Sequence, residues 1–247
     1  MEKKAWYIGC SSQQIADRVI LVGDPARVSR LQDLLDDVQV FPVNRGLMTI
    51  TGSYQGTGIT VAAFGMGAPI AAIVMHELYT LGARVFLRIG TAIALPPIEL
   101  GDFIIADKAQ RHEGTSNAYA PADYEAIADL DVISASINAI KENGHNYRVG
   151  NFASYDGFYR DMFSIEKSTD QRVQKNLHTL SEQGVVAVDM ETSALLTVGR
   201  VLGCKAGSLC VATVNSLKHQ KIDHRDMEVS EQDLFTVALR AVTTTQL

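Results

Sequence analysis

The sequence predicts an α/β fold with a central mixed β-sheet flanked by helices on both faces. Three observations carry that expectation. Short apolar runs rich in β-branched residues alternate with longer segments of helical period, the rhythm of strands joined by helices. Two of these runs, Met48 to Tyr54 and Ile59 to Phe64, flank Gln55-Gly56-Thr57-Gly58, a hairpin signature that argues against an all-parallel sheet. No Pro/Ser/Gly-rich linker, charge block or internal repeat divides the chain, so residues 1–247 are expected to form a single domain.

The elements follow in order. Val19 to Gly23 (VILVG) reads as a buried strand passing into a helix, with Asp24 as N-cap and Pro25 in the first turn. After the hairpin, Pro69 to Leu81 has helical period and stops at Gly82, and Arg84 to Ile89 is a strand. Asp102 to Ala106 is strand-like, and Leu130 to Glu142 is a helix ending before Asn143-Gly144. Tyr147 to Ala153 is a strand, Thr169 to Glu182 a polar helix and Val185 to Val188 a short strand. Glu191 to Leu202 is an apolar helix stopped by Gly203, Ala206 to Val214 a strongly apolar strand, and Glu231 to Thr243 a closing helix.

Composition narrows the function classes. Hydrophobic residues make up 47% of the 247 and charged ones 20%, too apolar a balance for a disordered chain. With 22 Lys and Arg against 28 Asp and Glu the formal charge is −6, which argues against a general nucleic-acid binder. Cys10, Cys204 and Cys210 cannot all pair and show no zinc spacing, so a reducing cytoplasm is the expected compartment. The start, MEKKAWYIGCSSQQI, lacks the apolar core of a signal peptide, and nowhere do 18 apolar residues run together.

In open α/β sheets ligands gather at the carboxyl ends of strands, and four places there offer chemistry. Gly23-Asp24-Pro25-Ala26-Arg27 could bring backbone N–H groups and an Arg fork to an anion, or be an ordinary capped turn with a solvated Arg27. Gly65-Met66-Gly67-Ala68-Pro69 suits close approach of a small ligand, or simply a tight turn. Arg88, at the end of an apolar strand beside Thr91, needs a buried partner, either an anionic ligand or a carboxylate of the protein. In Asp189-Met190-Glu191, Glu191 could favour the helix start electrostatically or accept hydrogen bonds from a pair of sugar hydroxyls, with Met190 as an apolar floor. His76 and Glu77 read as helix-face residues, and the polar loop carrying His219, Asp223, His224 and Asp226 as a surface lid, with Asp223 also a candidate proton donor.

In their order and spacing, VILVGDPARV, NRG, FGMGAP, LRIGTA, SYDGFY, VDMETSALL and VATVN resemble the nucleoside phosphorylase family of the hexameric type. That family includes uridine phosphorylase, bacterial hexameric purine nucleoside phosphorylase and related nucleosidases. The likeness spans nearly the whole chain and is closest overall to the uridine phosphorylases. It implies phosphorolysis of a ribonucleoside to free base and ribose 1-phosphate, a pentosyltransferase activity of nucleoside salvage that uses inorganic phosphate and no metal or organic cofactor.

By the same resemblance Gly23, Arg27, Arg88 and Thr91 would hold phosphate, joined by Arg45 from a neighbouring subunit. Tyr7, Met190 and Glu191 would serve the ribose, and Phe158, Gly67 and Asn215 the base; Arg88, Glu191 and Asn215 would be catalytic. Family members assemble as trimers of dimers, which implies a cytoplasmic homohexamer with Arg45 and Tyr7 contributed across the dimer, and no nucleic acid or membrane partner.

The base side departs from the pattern. Phe158-Tyr159 is followed by Arg160-Asp161-Met162-Phe163 where uridine phosphorylases carry a Gln-x-Arg pair, and Val214-Asn215-Ser216 lacks both the Asp of the purine enzymes and the Arg of the uridine ones. Arg160, Lys167 or Arg172 could reach the base instead. Tyr7 replaces a more usual His, Asp189 a more usual Glu, and Gly46 a Glu that in some relatives binds a monovalent cation, so no such ion is expected. Base preference is therefore unassigned: uridine-type, purine phosphorolysis, a hydrolytic nucleosidase and a non-catalytic nucleoside binder all stay open.

Overall fold

The sheet begins where the sequence places it. In a computed structural model of the chain, which describes residues 3–247, β1 (Arg18–Val22) leads into α1 (Pro25–Gln32), and Asp24 accepts a capping hydrogen bond from the Ala26 N–H. Past β2 (Asp36–Val40), the strands β3 (Thr49–Tyr54) and β4 (Thr57–Ala63) form the expected hairpin. Gln55 and Gly56 both have positive φ, 51° and 78°, the backbone of a two-residue turn matched to strand twist. The helix α2 (Ala68–Leu81) ends at Gly82 and β5 (Val85–Ala94) follows. Next come β6 (Phe103–His112), β7 (Ala126–Ile127), α3 (Leu130–Glu142) and β8 (Tyr147–Tyr155). A π-helical turn at Phe158–Met162 precedes α4 (Lys167–Glu182), and β9 (Val185–Asp189) precedes α5 (Thr192–Leu202). The chain closes with β10 (Lys205–Asn215), β11 (Gln220–Lys221) and α6 (His224–Thr244).

The strands form one mixed sheet ordered β11-β10-β6-β8-β9-β5-β1-β4-β3-β2, with β7 on the flank of β6. A further parallel pairing of β10 with β5 closes β5, β10, β6, β8 and β9 into a ring, so half of the sheet curls into a barrel. Successive residues of a strand face opposite sides, and β10 shows what covers each. Gly199 of α5 lies so close to Ala206 that an added Cβ would come within 2.5 Å of it, whereas a Cβ on Gly207 would strike Val132 of α3. Helices therefore cover both faces, as expected from the sequence. One apolar core runs under α1, α2, α3, α5 and α6, and a second, smaller one joins Val173, Leu177 and Leu180 of α4 to β9.

Two expectations need correction, the ends of β5 and β6 and the start of α6. β5 and β6 run well past Ile89 and Ala106, because neighbours in the ring keep pairing with them. α6 starts at His224 rather than Glu231, its first turn capped by Asp223, so residues 224–230 are helix and not loop. β2, Asp-rich and mostly exposed on the sheet edge, has no apolar signature. Cys10 and Cys210 are buried, and Cys204 is half-buried. Among the described residues no helix is long and apolar enough to cross a membrane.

Candidate active site

Strand register assembles the site. Val22 at the end of β1 pairs with Ala63 of β4 and Ile89 of β5, so Gly23, Phe64-Gly65 and Gly90-Thr91 lie side by side where β1 and β4 stop. A Cβ on Gly23 would stand 3.0 Å from the Gly65 carbonyl oxygen; the two turns touch through backbone, which glycine permits. Asp24 caps α1, as the plain reading of this turn required, but Arg27 is not solvated. It is buried, and its Nε donates to Glu231 Oε1 at 2.5 Å, while Arg30 pairs with the other oxygen of Glu231. The two terminal nitrogens of Arg27 have no partner among the described residues.

Arg88 is the centre of the cluster. Only 5% exposed, it donates from Nη2 to Glu191 Oε2 at 2.7 Å and lies 3.2 Å from Asp189 Oδ2. Its Nη1 donates to Cys210 Sγ at 2.7 Å and to Ser208 Oγ at 3.4 Å, and its buried Nε–H has no partner. Burial opposes charge on Arg88, but Cys210, Asp189, Glu191 and the hydrogen bond to Glu191 outweigh it, and the net shift favours the cation. Burial also pushes the Cys210 thiol up, and the Arg88 charge beside it pulls the other way.

Space for the guanidinium comes from Gly90. An added Cβ there would lie 3.1 Å from Arg88 Nη1 and 3.3 Å from the guanidinium carbon, so a side chain could enter only if the guanidinium gave way by a few tenths of an ångström. Gly90→Ala is expected to displace the clamped guanidinium and cost about 1–3 kcal/mol of stability, the usual range for overpacking. Thermal melts beside phosphate-dependence measurements check this, and an unchanged response in both would show that the cradle yields.

Glu191 stands at the N-cap position of α5 but makes no side-chain capping bond. Its Oε1 instead accepts from the Gly67 N–H at 2.7 Å while Oε2 takes Arg88, so the bland alternative for Arg88, a carboxylate of the protein, is present in the free chain. Asp189 accepts from Ser154 Oγ at 2.6 Å and Thr192 Oγ1 at 2.5 Å. Met190 is half-buried and packs with Phe158 against the smaller core. Phe158 in turn meets Tyr159 edge-on at 5.1 Å and Phe163 at 6.0 Å.

Farther round, Asn215 is buried and its Oδ1 accepts from the Lys218 N–H at 3.0 Å, which ties the turn after β10. Ser216 donates to the Met162 carbonyl, and Gln174 reaches from α4 to donate to the Ser216 carbonyl at 2.9 Å. Arg172 is taken by Asp161 at 2.8 Å, and Arg160 and Lys167 are exposed. Asp223 is the N-cap of α6, accepting from the Asp226 N–H at 2.8 Å.

Arg45 and Tyr7 stand apart from this cluster within the chain. Arg45 is exposed with φ 52°, and its guanidinium carbon lies 5.4 Å from the Tyr7 ring centroid. The fold thus brings Gly23, Gly67, Arg88, Thr91, Met190 and Glu191 to one end of the sheet, with Arg27 beside them in the first turn of α1. Phe158 and Met190 both pack on the smaller apolar core, and the turn after β10 is bonded through Ser216 to the Met162 carbonyl, at the end of the π-helical turn that Phe158 opens. Two open clefts, about 330 Å³ beside Asp129 and Arg200 and about 390 Å³ beside Leu100 and Asp226, are lined by none of these residues. Convergent buried charge marks the site.

Glu231 and Gln174 were missed by sequence reasoning. Glu231 had a usable signal: it precedes Leu234, Phe235 and Ala238 by three, four and seven residues, so it lies on the buried stripe of α6, where a carboxylate needs a cationic partner. Gln174 lies on a polar helix and offered none.

Comparison with known proteins follows the same lines. Residues 17–244 match the family model described as the phosphorylase superfamily. A uridine phosphorylase of Thermococcus kodakarensis is 35% identical over 222 residues, covering 89% of this chain and 80% of that protein. A guanosine phosphorylase of Halorubrum lacusprofundi is 34% identical over 215 residues, covering 86% and 85%. The crystal structure of a uridine phosphorylase from Vibrio fischeri superposes with a TM-score of 0.87 at 32% identity, covering 98% of each chain.

Proposed function

The chain belongs to the phosphorylase superfamily, and from that premise we propose that it is a pentosyltransferase that cleaves the N-glycosidic bond of a ribonucleoside with inorganic phosphate. The products are free base and ribose 1-phosphate. One observation carries the reading most directly. Arg88 is a buried, permanently charged guanidinium with an unused Nε–H, beside the glycine turns at the strand ends.

The chemistry follows from these groups. A phosphate oxygen attacks C1′ while the C1′–N bond breaks, its electron pair leaving with the base, which then takes a proton. Positive charge builds on the sugar and negative charge on the base. Arg88, the free nitrogens of Arg27, Thr91 and the backbone at Gly23 would orient the phosphate, with Arg45 added from a neighbouring protomer. Glu191 retains acceptor capacity for the ribose hydroxyls after binding Gly67 and Arg88, since two carboxylate oxygens carry about four lone-pair sites. Its charge also favours the cationic sugar. Met190 would floor the ribose, Tyr7 of a neighbour would approach the 5′ end, and Phe158, Gly67 and Asn215 would border the base. Phosphate is the co-substrate, and this scheme draws on no metal or organic cofactor.

The place of exposed Arg45 and half-buried Tyr7, apart from the Arg88 cluster of their own chain, favours a homo-oligomer in which dimers complete two sites, a trimer of dimers in the cytoplasm being the assembly we infer. Relatives named for uridine and for guanosine align almost equally well, so the base is for experiment to assign. Purified protein given uridine, inosine and guanosine is expected to release free base only when phosphate is added. Equal release without phosphate would make it a hydrolase, and binding without release a carrier.

A further inference from the structure

Glu77, midway along α2, is a half-buried carboxylate with no bond to the catalytic cluster. Three successive backbone N–H groups close on it. Trp6 donates to Oε1 at 2.9 Å, Tyr7 to both oxygens at 3.0 Å, and Ile8 to Oε2 at 3.1 Å. Consecutive amides converging in this way form an anion nest, and an ionised carboxylate, acceptor only, suits it.

The nest decides which way the strip faces. With its amides turned toward α2, Ile8 enters the core, while Trp6 stays 85% exposed and Tyr7 half-exposed. From the other side, Asn44 Nδ2 donates to the Tyr7 carbonyl at 3.0 Å, and Arg45 lies over the Tyr7 ring. Reciprocal backbone bonds between Asn44 and Leu47 hold the turn that carries Arg45. Tyr7 and Arg45, distant in sequence, are thereby one outward-facing unit. The same helix opens at Gly67, whose N–H holds Glu191, so α2 links this unit to the protomer's own site. Met66, 85% exposed, and Val43 and Ile73 add apolar surface nearby.

We propose that Glu77 is a positioning residue for the neighbouring protomer's site: it holds Tyr7, and through Asn44 also Arg45, in the pose in which they enter that site. This rests on the reading above that both residues act across a dimer. A Glu77 variant should therefore damage its partner's site and spare the Arg88–Glu191 cluster of its own chain.

Complementation tests it. Glu77→Ala and Arg88→Ala are expected to lose at least tenfold in kcat/KM as separate oligomers. Co-expressed with different tags and captured on both, they should recover about one quarter of wild-type activity at random pairing, because each hybrid two-fold dimer holds one intact site. Mixed oligomers no more active than the mean of the parents would overturn the proposal, since Glu77 would then act only within its own chain. If Glu77→Ala does not fold, Glu77→Gln replaces it in the mixture and, as a separate oligomer, is read on phosphate KM. A rise of at least tenfold at unchanged circular dichroism is expected, and an unchanged KM overturns the proposal. Failure of the phosphorylase reading looks different, because the wild type itself would then release no base with phosphate.

Discussion

Replacing Arg88 with alanine is expected to lower kcat/KM for phosphorolysis about a thousandfold, the upper end of what one preorganised donor to developing charge contributes. The effect is large because one side chain does two jobs. In the proposed reaction its unpaired Nε–H and its charge would serve the phosphate, while Nη2 holds Glu191 and Nη1 is fixed by Cys210 and Ser208. Removal leaves Asp189 and Glu191 buried without their cation, and breaking a buried pair from one side costs about 3–5 kcal/mol. Melting temperature should therefore fall as well. Arg88→Lys separates the two losses: it restores a charge beside the carboxylates but not the planar fork, so stability should largely return while phosphate KM stays at least about tenfold high. Steady-state kinetics with varied phosphate, alongside thermal melts, give the answer. Alanine activity within threefold of wild type would remove Arg88 from the site.

Glu191→Ala should be nearly as damaging to turnover, about a hundredfold or more in kcat/KM for the nucleoside, because a charged hydrogen-bond acceptor to the sugar is lost from a buried site. Its effect on phosphate should have the opposite sign to that of Arg88→Ala. Glu191 competes for Arg88 Nη2 in the free chain at 2.7 Å, and its removal frees that donor and lowers the negative charge near the anion. Phosphate measured by calorimetric titration should bind at least as tightly as to wild type. Joint loss of phosphate and nucleoside binding would mean that Glu191 mainly holds the fold.

Much of this was legible in the sequence. Apolar β-branched runs marked β1, β4, β9 and β10, since strands buried on both faces leave no other pattern. Asp24-Pro25 and Gly82, Asn143-Gly144 and Gly203 marked helix ends through capping and left-handed backbone geometry. What escaped was polar and local: β2 with its paired aspartates at an exposed edge, and residues 224–230 of α6, a helix start with no apolar stripe until Glu231. Composition there favours a loop, and only docking of the rest of α6 on the sheet makes it helix. The side chains of the site were legible as candidates, but their present partners were not. Arg88 meets Glu191 across 103 positions and Arg27 meets Glu231 across 204.

The sequence by itself determined the element types, the turns that end them, and the ordered set of glycines, arginines and carboxylates at strand ends, because each is written in the spacing of a few neighbouring residues. Only the tertiary structure decided that β10 pairs with β5 as well as β6, that Arg27 and Arg88 rest on carboxylates in the free chain, and that Glu77 turns Tyr7 and Arg45 outward. These are long-range choices among chemically similar partners. Local pattern is blind to them, and they are settled by which arrangement pairs most of the buried charges and amides.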